Sequence, residues 1–220
     1  MKAPSLLLLL FLCCGLNPLR AETTPIRIVV LGDSLTAGYG LPQQAAFPAQ
    51  LEIALQGRGH KVKVFNAGVS GDTSFGGLSR LDWALTDQPD LVIIELGAND
   101  ALRGLQPIQT RQNLDTILHR LKQKNIRAVL AGMKAPRNLG EAYYNSFDSI
   151  YPELAQQHQV PLYPFFLDGV AGIPELNQPD GIHPTMIGVN VIVDKMLPLL
   201  EEVLEEIAPE KNKGKNKGKK

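Results

Sequence analysis

Ile26-Arg27-Ile28-Val29-Val30-Leu31-Gly32-Asp33-Ser34-Leu35-Thr36 is the stretch on which the fold reading turns. Residues Ile26–Leu31 form a short run, rich in β-branched side chains and almost continuously apolar, that stops at a glycine. Such a run suits a strand covered on both faces, because a half-exposed strand would alternate apolar and polar residues. Four more runs have the same character: Val62–Asn66, Leu91–Leu96, Arg127–Ala131 and Pro161–Phe165. Between them the apolar residues fall at helical intervals, which predicts helices over Ala45–Gln56, Phe75–Leu85, Thr110–Lys124, Tyr143–Gln159 and Thr185–Glu206, the last interrupted at Pro198. Strand and helix in alternation predict an α/β fold, a three-layer α/β/α sandwich around a parallel five-stranded sheet.

The 220 residues contain no internal repeat and no Pro/Gly-rich linker, so residues 22–208 read as one domain. Formal charge is zero, with 22 basic and 22 acidic side chains, but the ends create that balance. Six lysines lie in the last ten residues, and Lys2 and Arg20 lie in the first 21. The body between keeps 14 basic and 22 acidic residues, eight negative charges net. An acidic body excludes nucleic acid as a natural partner, since phosphates require a basic face.

Residues 1–21 read as an export signal: Lys2, an apolar stretch from Leu6 to Cys14, Asn17-Pro18, and Ala21 as the last residue removed. The stretch is well short of the ~20 residues that span a bilayer. Cys13 and Cys14 both lie inside it, so the exported protein would be cysteine-free and periplasmic or secreted. Residues 209–220, ending in Lys-Asn-Lys-Gly repeats, have little to bury and read as a disordered tail able to touch anionic membrane surfaces.

In an open parallel sheet, ligands bind beyond the carboxyl ends of the strands. After the first strand, Ser34 stands where a helix begins, and unpaired N–H groups there favour a developing negative charge. After the second come Ser70-Gly71-Asp72-Thr73, where Gly71 can bring a bare N–H close to a ligand. Asn99 follows the third strand in Gly97-Ala98-Asn99-Asp100 and offers an amide donor. Late in the chain stands Asp180-Gly181-Ile182-His183-Pro184, in which a carboxylate three residues from an imidazole can fix its tautomer. An imidazole ordinarily titrates close to neutral pH, which suits proton transfer. Each piece alone also fits a turn, a helix cap or, for Asp180 and His183, a fragment of a metal site. Their occurrence in order at one sheet edge points to a serine hydrolase. His60, His119 and His158 are scattered and read as surface or packing residues.

These blocks resemble the SGNH (GDSL-type) hydrolase family. Gly32-Asp33-Ser34-Leu35-Thr36-Ala37-Gly38-Tyr39, Ser70-Gly71-Asp72-Thr73-Ser74, Glu95-Leu96-Gly97-Ala98-Asn99-Asp100, Tyr151-Pro152-Glu153-Leu154-Ala155 and Pro161–Phe166 are similar to its periplasmic acyl-CoA thioesterase I, arylesterase and lysophospholipase subgroup. The third block commonly reads Gly-Gly-Asn-Asp, and here Ala98 replaces the second glycine. The resemblance implies a flavodoxin-like fold with strand order 2-1-3-4-5. It also implies Ser34 as nucleophile, His183 as general base and acid, Asp180 as its orienter, and an oxyanion hole from Ser34 N–H, Gly71 N–H and the Asn99 side chain. No metal and no cofactor are implied. The implied substrates are aryl esters, lysophospholipids and acyl-CoA, and the implied state is a monomer. For the acyl pocket, the residues expected are Leu102, Leu105 and Ile108, with Pro136–Leu139 (Pro136 and Leu139 foremost) on the opposite wall. The ordinary α/β-hydrolase is excluded because no serine has the Gly-x-Ser-x-Gly setting. A carbohydrate O-deacetylase using the same triad, and a non-catalytic envelope protein binding lipid or carbohydrate, are the alternative readings.

Overall fold

The computed structural model describes residues 24–217, with side chains described through Ala208. The export-signal reading of residues 1–21 lies outside them. Five strands, β1 (Ile26–Gly32), β2 (Val62–Gly68), β3 (Leu91–Glu95), β4 (Arg127–Ala131) and β5 (Leu162–Tyr163), form one sheet in the order β2-β1-β3-β4-β5. Every pairing is parallel. Both the α/β sandwich and the strand order are as expected. Gly32, Gly68, Glu95 and Ala131 stand in register, so their carboxyl ends form a single edge.

The helices are α1 (Ser34–Ala37), α2 (Phe47–Gly57), α3 (Ser74–Ser79), α4 (Leu81–Ala84), α5 (Ala98–Leu102), α6 (Pro107–Gln123), α7 (Glu141–Asp148), α8 (Ile150–His158) and α9 (Met186–Lys217). α2 packs on α9, and α6 on α3 and α8. Buried stripes make those contacts: Phe47, Leu51 and Leu55 on α2, and Leu114, Ile117, Leu118 and Leu121 on α6. The α2 stripe packs against β2 and the α6 stripe against β4, and the apolar residues of the central strands β1 and β3 are fully buried apart from a trace at Ile26.

Several boundaries differ from expectation. β5 holds two residues because Pro161 and Pro164 bracket it and neither can donate to a ladder. The helix expected over 143–159 divides after Asp148, since Pro152 cannot bond back to the carbonyl of residue 148. The helix expected over 75–85 divides at Arg80. Pro198 does not interrupt α9: one missing hydrogen bond is offset by the burial of Met196, Leu197 and Leu200 around it. The α9 backbone also runs to Lys217, into the stretch read as an unstructured tail, because extending an anchored helix avoids the cost of nucleation. Among the described residues no helix is long and apolar enough to cross a membrane.

Candidate active site

β1 delivers the chain to the sheet edge at Gly32, where a side chain would strike Thr36 Oγ1 and the Glu95 carboxyl. Asp33 then caps α1, its Oδ1 accepting from Leu35 N–H at 2.9 Å. Ser34 is therefore the first residue of a helical turn, and among the described residues its N–H has no backbone partner. Across the edge, Asp180 accepts from Ile182 N–H (3.0 Å) and His183 N–H (3.1 Å) through Oδ1. Its Oδ2 lies 2.8 Å from His183 Nδ1, and His183 Nε2 lies 2.9 Å from Ser34 Oγ. The hydrogen bond with His183, helped by the two backbone donors, pulls the Asp180 carboxyl down to about 2. An ionised Asp180 accepts the hydrogen bond from Nδ1–H and so leaves Nε2 as the acceptor facing Ser34. Ser34, His183 and Asp180 are thus brought together as the sequence implied.

Gly71 adopts φ +85°, which favours glycine, and its N–H makes no backbone hydrogen bond among the described residues. Its carbonyl accepts from the Arg103 guanidinium at 2.7 Å. Asn99 borders the same cleft as Ser34 and Gly71. Its amide nitrogen is already engaged, donating to Asp33 Oδ2 (3.0 Å) and to the Asp72 carbonyl (2.9 Å). Arg80 secures this loop. Its Nε donates to Asp72 Oδ2 (2.6 Å), and its two terminal nitrogens donate to the carbonyls of Ala67 (2.7 Å) and Gly32 (2.8 Å). That fork joins the ends of β1 and β2 to the residue that steadies Asn99.

Beneath Ser34 lies a buried acidic pair. Thr36 Oγ1 donates to Glu95 Oε2 at 2.7 Å, and Asp33 N–H reaches the same oxygen at 3.3 Å. Burial pushes Asp33 up to about 6, against the hydrogen bonds from Leu35 N–H and Asn99 that favour its charge. Burial first, and then the Asp33 charge, hold Glu95 well above the usual carboxylate range. Glu95 Oε1 is buried with no hydrogen-bond partner among the described residues.

Sequence reasoning passed over Arg80, Glu95 and Gln178. Gln178 Nε2 donates to the carbonyls of Tyr39 (2.7 Å) and Pro184 (3.0 Å), joining the Ser34 and His183 loops. Tyr39 also packs its ring 4.5 Å from the His183 ring. The only sequence signal for Glu95 is an acidic residue inside the otherwise apolar run Leu91–Leu96; Arg80 and Gln178 carry none.

A cleft of about 870 Å³ opens over Ser34. Leu102, Pro136, Met133, Phe165 and Leu167 give it apolar walls. The structure therefore places two of the five expected pocket residues, Leu102 and Pro136, on the cleft. Leu105, Ile108 and Leu139 are not on it. Leu105 faces a separate hollow beside Phe75 and Gln112, while its carbonyl accepts from Tyr143 Oη at 2.7 Å. Ile108 points outward because α6 begins at Pro107, and Leu139 closes a single turn over Arg137–Leu139. Among the described residues no group of three or more His, Cys, Asp or Glu side chains is placed to hold a metal ion.

Residues 30–190 match the sequence model of the GDSL-like lipase/acylhydrolase family. The chain belongs to this family. It is 45% identical over 175 residues to the thioesterase 1/protease 1/lysophospholipase L1 of Escherichia coli K12, covering 79% of this chain and 83% of that protein. Identity to the esterase TesA of Pseudomonas aeruginosa is 38% over 195 residues, covering 88% and 97%. Among solved structures, the psychrotrophic esterase EstA from Pseudoalteromonas sp., inhibited by monoethylphosphonate, superposes with a TM-score of 0.77 at 33% identity, covering 81% of this chain and 98% of that one. The family expected from the motif blocks is thus the family found, and the protein is a GDSL-type hydrolase.

Proposed function

We propose that this hydrolase cleaves carboxylic ester or thioester bonds of acyl substrates by two-step acyl transfer on Ser34. The observation that carries the reading is the unbroken line from Asp180 Oδ2 through His183 to Ser34 Oγ at the mouth of an apolar cleft. His183 Nε2 takes the Ser34 proton as Oγ attacks the carbonyl carbon, then gives it to the departing alcohol or thiol. Water activated by the same nitrogen attacks the acyl-serine and frees the acid. The N–H groups of Ser34 and Gly71 stabilise the oxyanion directly. Asn99 joins them by sharing one of its amide hydrogens, since both are engaged at rest.

An apolar cleft of this size favours acyl chains over acetyl groups, which supports aryl esters, lysophospholipids and acyl-CoA over O-acetylated sugars as substrates. The relatives' names, a thioesterase/lysophospholipase and an esterase, agree with that class. We take the protein to be an exported, periplasmic monomer, on the strength of residues 1–21. The test is a burst assay with p-nitrophenyl esters of increasing chain length. Wild type gives a burst of nitrophenol, and Ser34→Ala loses at least about 10⁴-fold in kcat. Retained turnover in Ser34→Ala would overturn the mechanism, and a preference for acetyl esters would move the assignment to the O-deacetylase.

A further inference from the structure

The ionisable groups bordering the cleft are unevenly distributed. Asp33 lies buried in its floor and His183 is tied to Asp180, which leaves Lys134 and Arg137 as the cations on its wall. Arg137 is committed: its guanidinium lies 2.8 Å from the Asp148 carboxylate and 4.4 Å over the Tyr144 ring. Lys134 is exposed and makes no ion pair among the described residues. Its ammonium rests 4.9 Å over the Phe165 ring, itself part of the apolar wall. The nearby carboxylates have other partners, Asp168 with Lys195 at 2.8 Å and Asp148, which accepts from Ala135 N–H, with Arg137 at 2.8 Å. Asp168 is held low chiefly by Lys195, and the charge of Lys134 contributes last. On a body with eight surplus negative charges, the catalytic cleft thus presents an uncommitted cation.

Building on the acyl-hydrolase reading, we propose that Lys134 is an anion-recognising subsite for a phosphate carried on the leaving group of the substrate. The hydrocarbon of an acyl ester bears no charge, so an anionic group on the intact substrate resides on the alcohol or thiol side. The apolar walls take the acyl chain, and a phosphate draws the Lys134 ammonium off the Phe165 face into a charge-assisted hydrogen bond. Phosphates of this kind occur in a phospholipid headgroup and in coenzyme A. Both present the same chemistry to a lysine.

Three decanoyl substrates below their micellar concentrations separate the cases: neutral 1-decanoylglycerol, anionic 1-decanoyl-glycerophosphoglycerol, and decanoyl-CoA. In Lys134→Gln the ratio of kcat/KM for an anionic substrate to that for decanoylglycerol falls about three- to ten-fold, mostly in KM, as for a partly exposed ion pair. Lys134→Arg restores the ratio, and 0.5 M NaCl lowers it in wild type. A fall confined to the glycerophosphoglycerol ester assigns the subsite to lipid headgroups, a fall confined to decanoyl-CoA assigns it to nucleotide phosphates, and a fall in both assigns it to phosphate generally. Unchanged ratios for both overturn the proposal. If none of the three is hydrolysed, the acyl-hydrolase reading fails by itself. The subsite is then judged by calorimetric binding of decanoyl-glycerophosphoglycerol to Ser34→Ala, where adding Lys134→Gln must weaken binding.

Discussion

Asp33, which precedes Ser34 in the chain, and Asp180, which reaches it through His183, are chemically identical side chains whose surroundings drive them apart. Asp33 is wholly buried, rests near Glu95, and is pushed up to about 6. Asp180 sits in an exposed turn, receives two backbone N–H groups and the His183 imidazole, and is pulled down to about 2. Burial penalises charge, whereas donated hydrogen bonds reward it, and in each case the dominant effect sets the direction. The exposed aspartate is consequently a steady anion for a proton-carrying imidazole. The buried one is an acceptor in a scaffold, with Leu35 N–H on one oxygen and the Asn99 amide on the other.

The largest loss is expected at the exposed aspartate. Asp180→Asn keeps a side chain of the same shape but offers His183 an amide in place of a carboxylate. We expect kcat on p-nitrophenyl esters to drop on the order of 10³-fold with KM little changed. A loss below ten-fold would mean that the Asp180 charge is dispensable.

Asp33→Asn should cost less, about 10–100-fold in kcat, because one amide oxygen cannot replace two carboxylate oxygens in holding both Leu35 N–H and Asn99. The same variant reports on stability. An unperturbed aspartate titrates near 3.9, and folded Asp33 near 6, so the folded protein binds this proton more tightly than the unfolded chain does. Stability from this group is therefore highest at low pH and declines as pH rises from about 4 to about 6, by roughly 3 kcal/mol. Asp180 has the opposite sign: its contribution is present above about 4 and is lost as pH falls towards 2. Urea denaturation of wild type and Asp33→Asn between pH 4 and 7 checks this, since the stability difference should move in the variant's favour across that interval. A flat difference would show that burial does not raise Asp33.

The smallest effect belongs to Glu95→Gln. Burial and the Asp33 charge shift the Glu95 carboxyl towards its uncharged form, and an amide oxygen can still accept from Thr36 Oγ1 and Asp33 N–H. Stability and kcat should stay within about 1 kcal/mol and three-fold of wild type. Glu95→Ala, which strands both donors, should cost about 2–4 kcal/mol. Equal losses in the two variants would indicate that Glu95 works as a charge.

The apolar runs marked every strand, most fully β1 and β3, which are covered on both faces, whereas the edge strand β2 alternates and leaves Lys63 and Asn66 exposed. Helix ends were less legible where a proline or a long-range bond decided them, as at Pro152, Pro198 and Arg80. The motif blocks named Ser34, Gly71, Asn99, Asp180 and His183, since those side chains sit in short local turns whose residue types are recognisable. The acyl wall was legible only in part: Leu102 and Pro136 face the cleft, whereas Leu105, Ile108 and Leu139 turn away with the start of α6 and the turn at Arg137.

By itself, then, the sequence determined the parallel α/β sandwich and the residues at the ends of its strands, because hydrophobic periodicity and turn chemistry act over a few neighbours. Only the tertiary structure decided which of those residues meet. Ser34 Oγ and His183 Nε2 are 149 positions apart and 2.9 Å apart in space. The engagement of Asn99, the opposite fates of Asp33 and Asp180 and the uncommitted charge of Lys134 were settled in the same way. Burial, partner geometry and local field belong to the assembled sheet edge, and no short window of sequence contains them.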